Sequence, residues 1–294
     1  LGTETTLQTV TSQDPMFIRW STQESLTEYV WHRYGSSMYA FTLAVVVFYM
    51  FIFLSAELTG IAKAFNLLAD IPMVLTAVVV GLLTVAYTAY GGIRASIFTD
   101  AIQFSLILPL LFVILVAALV ALGGMGAAFD PVRDNAPHLL SFAHRPGIEF
   151  GFTLVIAVFA ANMFHQGFWQ RVYACRDDTS MRFGFMAGGG IVVPLIFLVG
   201  FLGVVASGHG IVTDPSVALF SFVIDTLPTW VGAVLLVLAL MLVMSSLDTL
   251  LNGIASVATS DLARLRPDMG SGALLGSSRV VTVFLIVPAI LIAS

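Results

Sequence analysis

The chain has 294 residues, 59% of them hydrophobic and 10% charged, with a formal net charge of -5. Soluble domains carry about 25% charged residues, so this composition excludes a soluble globular domain and points to an all-α integral membrane protein, as does the mean hydropathy of +0.99. A single cysteine, Cys175, excludes an intramolecular disulfide, and the five histidines are scattered without zinc-type spacing.

Residues 1–36 are polar, without a signal-peptide pattern, and are expected outside the hydrocarbon core. Residues 26–34 read as a short interfacial helix or loop. A first span is expected over 37–61, with Glu57 near its far end and Lys63 as its partner. A second covers 71–90, with Pro72 in its first turn. Gly91-Gly92-Ile93-Arg94 reads as a tight basic turn before a third span over 100–122, which Pro109 can kink. A polar loop follows over 123–147, then a fourth span over 148–168. Trp169 to Arg182 is expected as a loop. A fifth span covers 183–207, and Gly188-Gly189-Gly190 offers a close-packing face to a neighbouring helix. The loop 208–228 carries a short helix over 215–226. The sixth span runs 230–262, and after a loop over 264–278 a seventh starts near Arg279. Each main span is about 20 residues or more, enough for a hydrocarbon core of about 30 Å. The expected organisation is one transmembrane domain over 1–294, with a polar segment 1–36 and a helical bundle 37–294. The chain lacks an initiator methionine and stops within an apolar run, so it is expected to belong to a longer protein.

Lysine and arginine set the orientation. With the N-terminal tail in the cytoplasm, that side holds Arg19, Arg33, Arg94, Arg171, Arg176, Arg182, Arg264, Arg266 and Arg279. The other holds Lys63, Arg133 and Arg145. This is a positive-inside bias, and it runs the sixth span from outside to inside.

The sixth span carries a polar stripe. Ser245, Asp248 or Thr249, Asn252, Ser256, and Thr259 or Ser260 recur one helical turn apart among Val, Leu, Ala and Met. Such a stripe is costly against lipid and must face protein, water or an ion. Hydroxyl and carbonyl oxygens with a carboxylate are the ligands a small hard cation takes. Asp248 reads either as a cation ligand or as a buried polar group bonded to a neighbouring helix. Asp100 reads either as a cap at the start of the third span or as a cation ligand.

Three stretches then carry a resemblance. Residues 84–103 hold Gly91-Gly92-Ile93-Arg94-Ala95 and Thr99-Asp100-Ala101-Ile102-Gln103, similar to a Gly-Gly-x-x-Ala-x-x-x-Thr-Asp-x-x-Gln signature. Phe168-Trp169-Gln170-Arg171-Val172-Tyr173-Ala174 and Met244-Ser245-Ser246-Leu247-Asp248-Thr249 resemble two further motifs, in the same order. Together they resemble the sodium:solute symporter family. The resemblance implies a LeuT-type fold of two inverted five-helix repeats with the site near mid-membrane. The seven spans would match the third to ninth core helices, with the helices before and after them missing from this chain.

The resemblance also implies site residues. One sodium site would use the carbonyl of Leu242 and the hydroxyls of Ser245 and Ser246, with carbonyls of an earlier helix. Another sodium would use Asp100, Ser245, Asp248 and Thr249, where Asp248 stands in place of the family's hydroxyl. Asn162, Phe164, His165 and Gln166 would line the solute path, although His165 on an aromatic segment also reads as a packing residue. The implied function is symport of a small polar solute (an amino acid, sugar, carboxylate or vitamin) with sodium as coupling ion and no cofactor. The expected setting is the cytoplasmic membrane, with lipid as partner and no nucleic acid. Two other readings are a transporter-like sensory domain and an intramembrane aspartyl hydrolase built on Asp100 and Asp248. The hydrolase lacks its Gly-x-Gly-Asp context.

Overall fold

The computed structural model describes residues 25–210, 214–266 and 268–293. Expectations for residues 1–24 lie outside them. Every element among the described residues is helical: α1 Leu26–Tyr34, α2 Ser36–Ala69, α3 Met73–Ala121, α4 Met125–Asn135, α5 Arg145–Asn162, α6 Gln166–Tyr173, α7 Asp178–Gly208, α8 Ala218–Thr226, α9 Thr229–Leu265 and α10 Ser271–Ala293. Short 3-10 turns at Pro137–Leu140 and Pro215–Val217 complete the path. Five stretches among the described residues are long and apolar enough to cross a membrane, and the bent pair α5 and α6 makes a sixth. Met73–Ala89 is a shorter apolar segment. These account for the seven expected spans.

α9 is the axis. Its second half, through Leu247, Leu250, Leu251, Ile254 and Val257, packs with α1, α2, the first part of α3, and α10. Its first half, through Val231, Leu235 and Leu238, packs with the last part of α3 and with α4, α7 and α8. Lipid tails are as apolar as leucine, so packing and polar contacts rather than water exclusion hold such a bundle together. Accordingly, large apolar side chains such as Phe48, Phe112, Phe152, Phe197 and Phe284 point outward.

α3 departs from expectation. A turn was expected at residues 91–94, yet the backbone is helical without a break for 49 residues. A straight helix of that length would reach about 73 Å. The last part of α3 and the end of α2 just before it both lie at the start of α9. Leu68, just before Met73, touches Gly232, while Ile114 and Ala118 share a cluster with Val231 and Leu235. Toward the middle, Tyr87 Oη donates to Met244 O at 3.1 Å and Ser245 Oγ donates to Asp100 Oδ1. Side chains thirteen residues apart thus reach adjacent residues of α9. α3 is a V that crosses twice, with its apex between Tyr87 and Asp100. Asp100 therefore sits inside a helix and caps no helix start.

Other boundaries also moved. Trp169 to Tyr173, expected in a loop, form α6, which meets α5 at 59° after a break at residues 163–165. The α10 helix starts at Ser271, well before Arg279. The loop 123–147 contains α4, seated so closely on α7 that a Cβ at Gly208 would meet Val132 N at 2.8 Å. Among the described residues, nothing lies within 4 Å of a Cβ added at Gly188, Gly189 or Gly190, so none of the described helices packs closely on that face. The residues 26–34 helix and the short helix within 215–226 are present as expected.

Lys63 pairs with Asp214 at 3.3 Å rather than with Glu57. The Ser216 hydroxyl, the Ser216 N–H and Lys63 hold the Asp214 carboxyl below its ordinary value. A lowered carboxyl contributes stability above its unfolded pKa of about 3.9 and loses it as pH falls further. The melting difference between the intact protein and its Asp214→Asn variant is therefore expected to hold from roughly pH 8 to 5 and to fade only as pH falls below about 4. A difference that fades between pH 7 and 5 would contradict this.

Candidate functional site

The polar stripe of α9 faces protein. Asp248 is fully buried, and Thr249 and Asn252 nearly so. Asn252 lies one turn on and donates through Nδ2 to Asp248 Oδ1 at 2.5 Å and to Asp248 O at 3.1 Å. From α3, Thr99 Oγ1 lies 3.5 Å from Asp248 Oδ2. Further along, Ser256 accepts from Gln166 Nε2 at 3.2 Å. Ser260 Oγ is buried without a partner, and Thr259 bonds back to Ala255 O.

Asp100, Ser245 and Thr249, grouped by the resemblance, lie together, but around a residue that was not foreseen as a site member. Arg171 Nη2 donates to Asp100 Oδ2 at 2.7 Å, to Thr249 Oγ1 at 2.8 Å and to Ser96 Oγ at 3.3 Å. Its Nη1 donates to Gly167 O at 3.3 Å. Arg171 had been counted as a cytoplasmic loop charge. It lies in α6 instead, and a charge-assisted bond of this kind is among the stronger ones available. The signal in the sequence was Phe168-Trp169-Gln170-Arg171 itself, read as a loop motif rather than as a helix aimed at Asp100.

The α6 helix reaches α9 because both carry glycine at the crossing. A Cβ on Gly167 would lie 3.0 Å from Thr249 O, and one on Gly253 would lie 2.9 Å from Gly167 N. That close approach brings Arg171, one turn beyond Gly167, to the stripe.

Leu242 and Ser246 occupy a second face of α9. Ser246 Oγ donates to Leu242 O at 3.2 Å, a back-bond typical of serine in a helix. Glu57 of α2 lies beside Ser246. Sequence reasoning gave Glu57 to Lys63 and so missed it. Two oxygen clusters thus share one stretch of α9. One contains Asp100, Ser245, Thr249 and Ser96 around Arg171. The other contains Leu242, Ser246 and Glu57.

The four solute-path candidates cluster at the α5–α6 break but differ in availability. His165 is buried, stacks on Phe168 at 4.5 Å and meets Tyr49 and Phe53 edge-on at 6.1 and 6.2 Å. Its Nδ1 has no partner. Gln166 is fully engaged, accepting from Leu26 N at 3.0 Å and donating to Ser256. Phe164 packs against the core. Asn162 lines a groove of about 650 Å³ with Trp169, Arg171, Gly188 and Gly189. Tyr49 and Phe53 are additional residues at this place, one turn apart on α2.

The sequence model of the sodium:solute symporter family matches residues 15–294. The chain belongs to the sodium:solute symporter family. Among curated relatives in this symporter family, a spermidine transporter of Candida albicans is 27% identical over 272 residues, covering 91% of this chain and 50% of that protein. Sodium/myo-inositol cotransporter 2 of Mus musculus is 26% identical over 310 residues, 91% of this chain and 46% of that one. A sodium/glucose cotransporter of Vibrio parahaemolyticus is 23% identical, covering 92% of this chain and 56% of that one. The chain spans about half the length of these relatives. Among solved structures, a Na+-coupled sialic acid symporter, solved substrate-bound and outward-open with a novel Na+ site, superposes with a TM-score of 0.74 at 20% identity, over 92% of this chain and 61% of that chain. The fold is therefore the LeuT-type fold that the resemblance implied.

Membership in a symporter family argues against the enzyme reading, and the geometry does too. A hydrolytic dyad needs two carboxylates sharing a proton. Here Asp100 is bound by Arg171 and Ser245, while Asp248 is bound by Asn252 and Thr99. These family members carry transporter names, and none supports a sensory domain.

Proposed function

We propose that the intact protein is a sodium-coupled symporter that moves a small polar solute by alternating access. The observation that carries this reading is the oxygen-lined stretch 242–249 of α9, where a carbonyl, three hydroxyls and the carboxylates of Glu57, Asp100 and Asp248 gather inside an apolar bundle. Burying such groups is costly unless they serve ions or a pathway. Sodium is held by Leu242 O, Ser245 and Ser246, with Glu57 beside them. The solute passes the α5–α6 break, where Asn162 and His165 have polar atoms free to meet it and Phe164 and Gln166 shape the wall. The arginine bias supports a cytoplasmic-membrane location with the 264–278 connection inside. The residues of the break alone do not name the solute class.

The test is a thermal-shift screen of the purified intact protein against amino acids, sugars, carboxylates, polyamines and vitamins, with sodium and with choline. A ligand bound to the folded state raises melting by mass action. The expected result is one solute class whose shift requires sodium. Shifts that are identical in choline would refute sodium coupling.

A further inference from the structure

Of the three carboxylates gathered along α9, two are well partnered. Asp100 is bound by Arg171 and Ser245. Asp248 accepts from Asn252 and lies 3.5 Å from the Thr99 hydroxyl. Glu57 has Ser246 beside it, and no arginine or lysine among the described residues pairs with it. Lys63, the basic residue of its own helix, is engaged by Asp214 and Ser216. A carboxylate inside an apolar bundle is costly without a cation. Sodium at Ser246 answers part of that need. A carboxylate nevertheless offers about four lone-pair positions, and the rest of this face of α2 is not built for a bare ion.

Four and eight residues before Glu57, on the same face, stand Phe53 and Tyr49. Their rings lie 5.7 Å apart at 45°, and both meet His165 at the α5–α6 break. His165 Nδ1 is buried there without a partner, which costs free energy until something bonds it. From the sodium locus to the solute path, the row reads carboxylate, ring, ring, free imidazole nitrogen. Ser55 and Thr59 of α2 turn their hydroxyls back onto Phe51 O and Ser55 O, so they have little to offer a sugar. An anion would meet Glu57 as a like charge. Ring faces attract ammonium groups, and a carboxylate bonds them more strongly than it bonds a neutral donor.

We propose that the solute is an organic cation, an aliphatic amine whose ammonium group seats against Glu57 and the rings of Phe53 and Tyr49. Its N–H groups donate to the carboxylate, and its alkyl chain lies along the rings toward His165. The row covers about 12 Å of helix, which suits a chain better than a compact ring. The inference rests on the symport reading for where the solute lies, and adds the charge that the solute carries.

The test is melting of the purified intact protein with propylamine, putrescine and spermidine, each set against propanol, butanediol, glucose and glutamate. Each is measured in sodium and in potassium, an ion that brings no ammonium group of its own. An amine is expected to raise melting in sodium, and the alcohols are expected to leave it unchanged. Titration of the shift should show the amine bound at least about tenfold more weakly by Glu57→Gln and about threefold more weakly by Phe53→Leu. The shift produced by sodium alone should survive in Phe53→Leu, which decides the matter where Glu57→Gln does not yield monodisperse protein. An amine shift undiminished in either folded variant overturns the proposal. So does a shift from glucose, glutamate or an alcohol with none from an amine, and so does the absence of any amine shift. An amine shift that is equal in potassium and falls in the variants supports the amine site while removing sodium coupling.

Discussion

Ser246→Ala is expected to raise the sodium concentration that half-activates uptake by about tenfold, the equivalent of about 1.4 kcal/mol. The reasoning is one of lost oxygen. Ser246 Oγ donates to Leu242 O, with Glu57 beside it, so the hydroxyl stands among the oxygens best placed to hold an ion on that face. Alanine keeps the helix and removes only the hydroxyl. Helix propensity favours alanine over serine, so the fold loses nothing in exchange. Maximal uptake at saturating sodium is expected to change little. Uptake with an unchanged sodium dependence would remove Ser246 from the ion path and leave Glu57 without a role there.

Gly253→Ala should have the larger effect on stability. A Cβ there would lie 2.9 Å from Gly167 N and 2.6 Å from Met50 Cε. The methionine can swing aside, but the backbone nitrogen cannot move without displacing α6. Overpacking of this kind costs about 1–3 kcal/mol, or roughly 3–10 °C in melting temperature for a chain of this size. Lifting α6 also draws Arg171 from Asp100. Gly60→Ala is the matched control, because nothing lies within 4 Å of its added Cβ. Equal melting for the two variants would show that the α6–α9 contact carries no load.

The spans were legible in the sequence because a bilayer demands long apolar runs, and Val, Leu, Ile and Phe supply them without ambiguity. The stripe at Ser245 to Asn252 was legible for the complementary reason, as polar groups at helical spacing stand out in such a background. The apex of α3 was legible only in position. Gly91-Gly92 marks where the chain reverses, but a V that stays helical and a turn between two helices have the same apolar pattern. Arg171 was misplaced because a charged residue after an apolar run reads as a loop. Only the pairing with Asp100, seventy-one residues earlier, says otherwise. Glu57 was misassigned by proximity. Lys63 is its near neighbour along the chain, yet the lysine has a better partner in Asp214 across the fold. Long-range pairings of this kind leave no periodic trace.

The crossing of Gly167 and Gly253 has a mechanical consequence. Two bare backbones in contact resist being pushed together, and Gln166, bonded to Leu26 N and to Ser256, fixes the turn beside them. The α6 helix is a short arm that follows α5 after the break at 163–165, ends at Tyr173 and is pinned to α9 through Gln166 and Gly167. The guanidinium stands one turn, about 6 Å, along its arm. A change at this crossing that lifts α6 therefore draws the guanidinium away from Asp100.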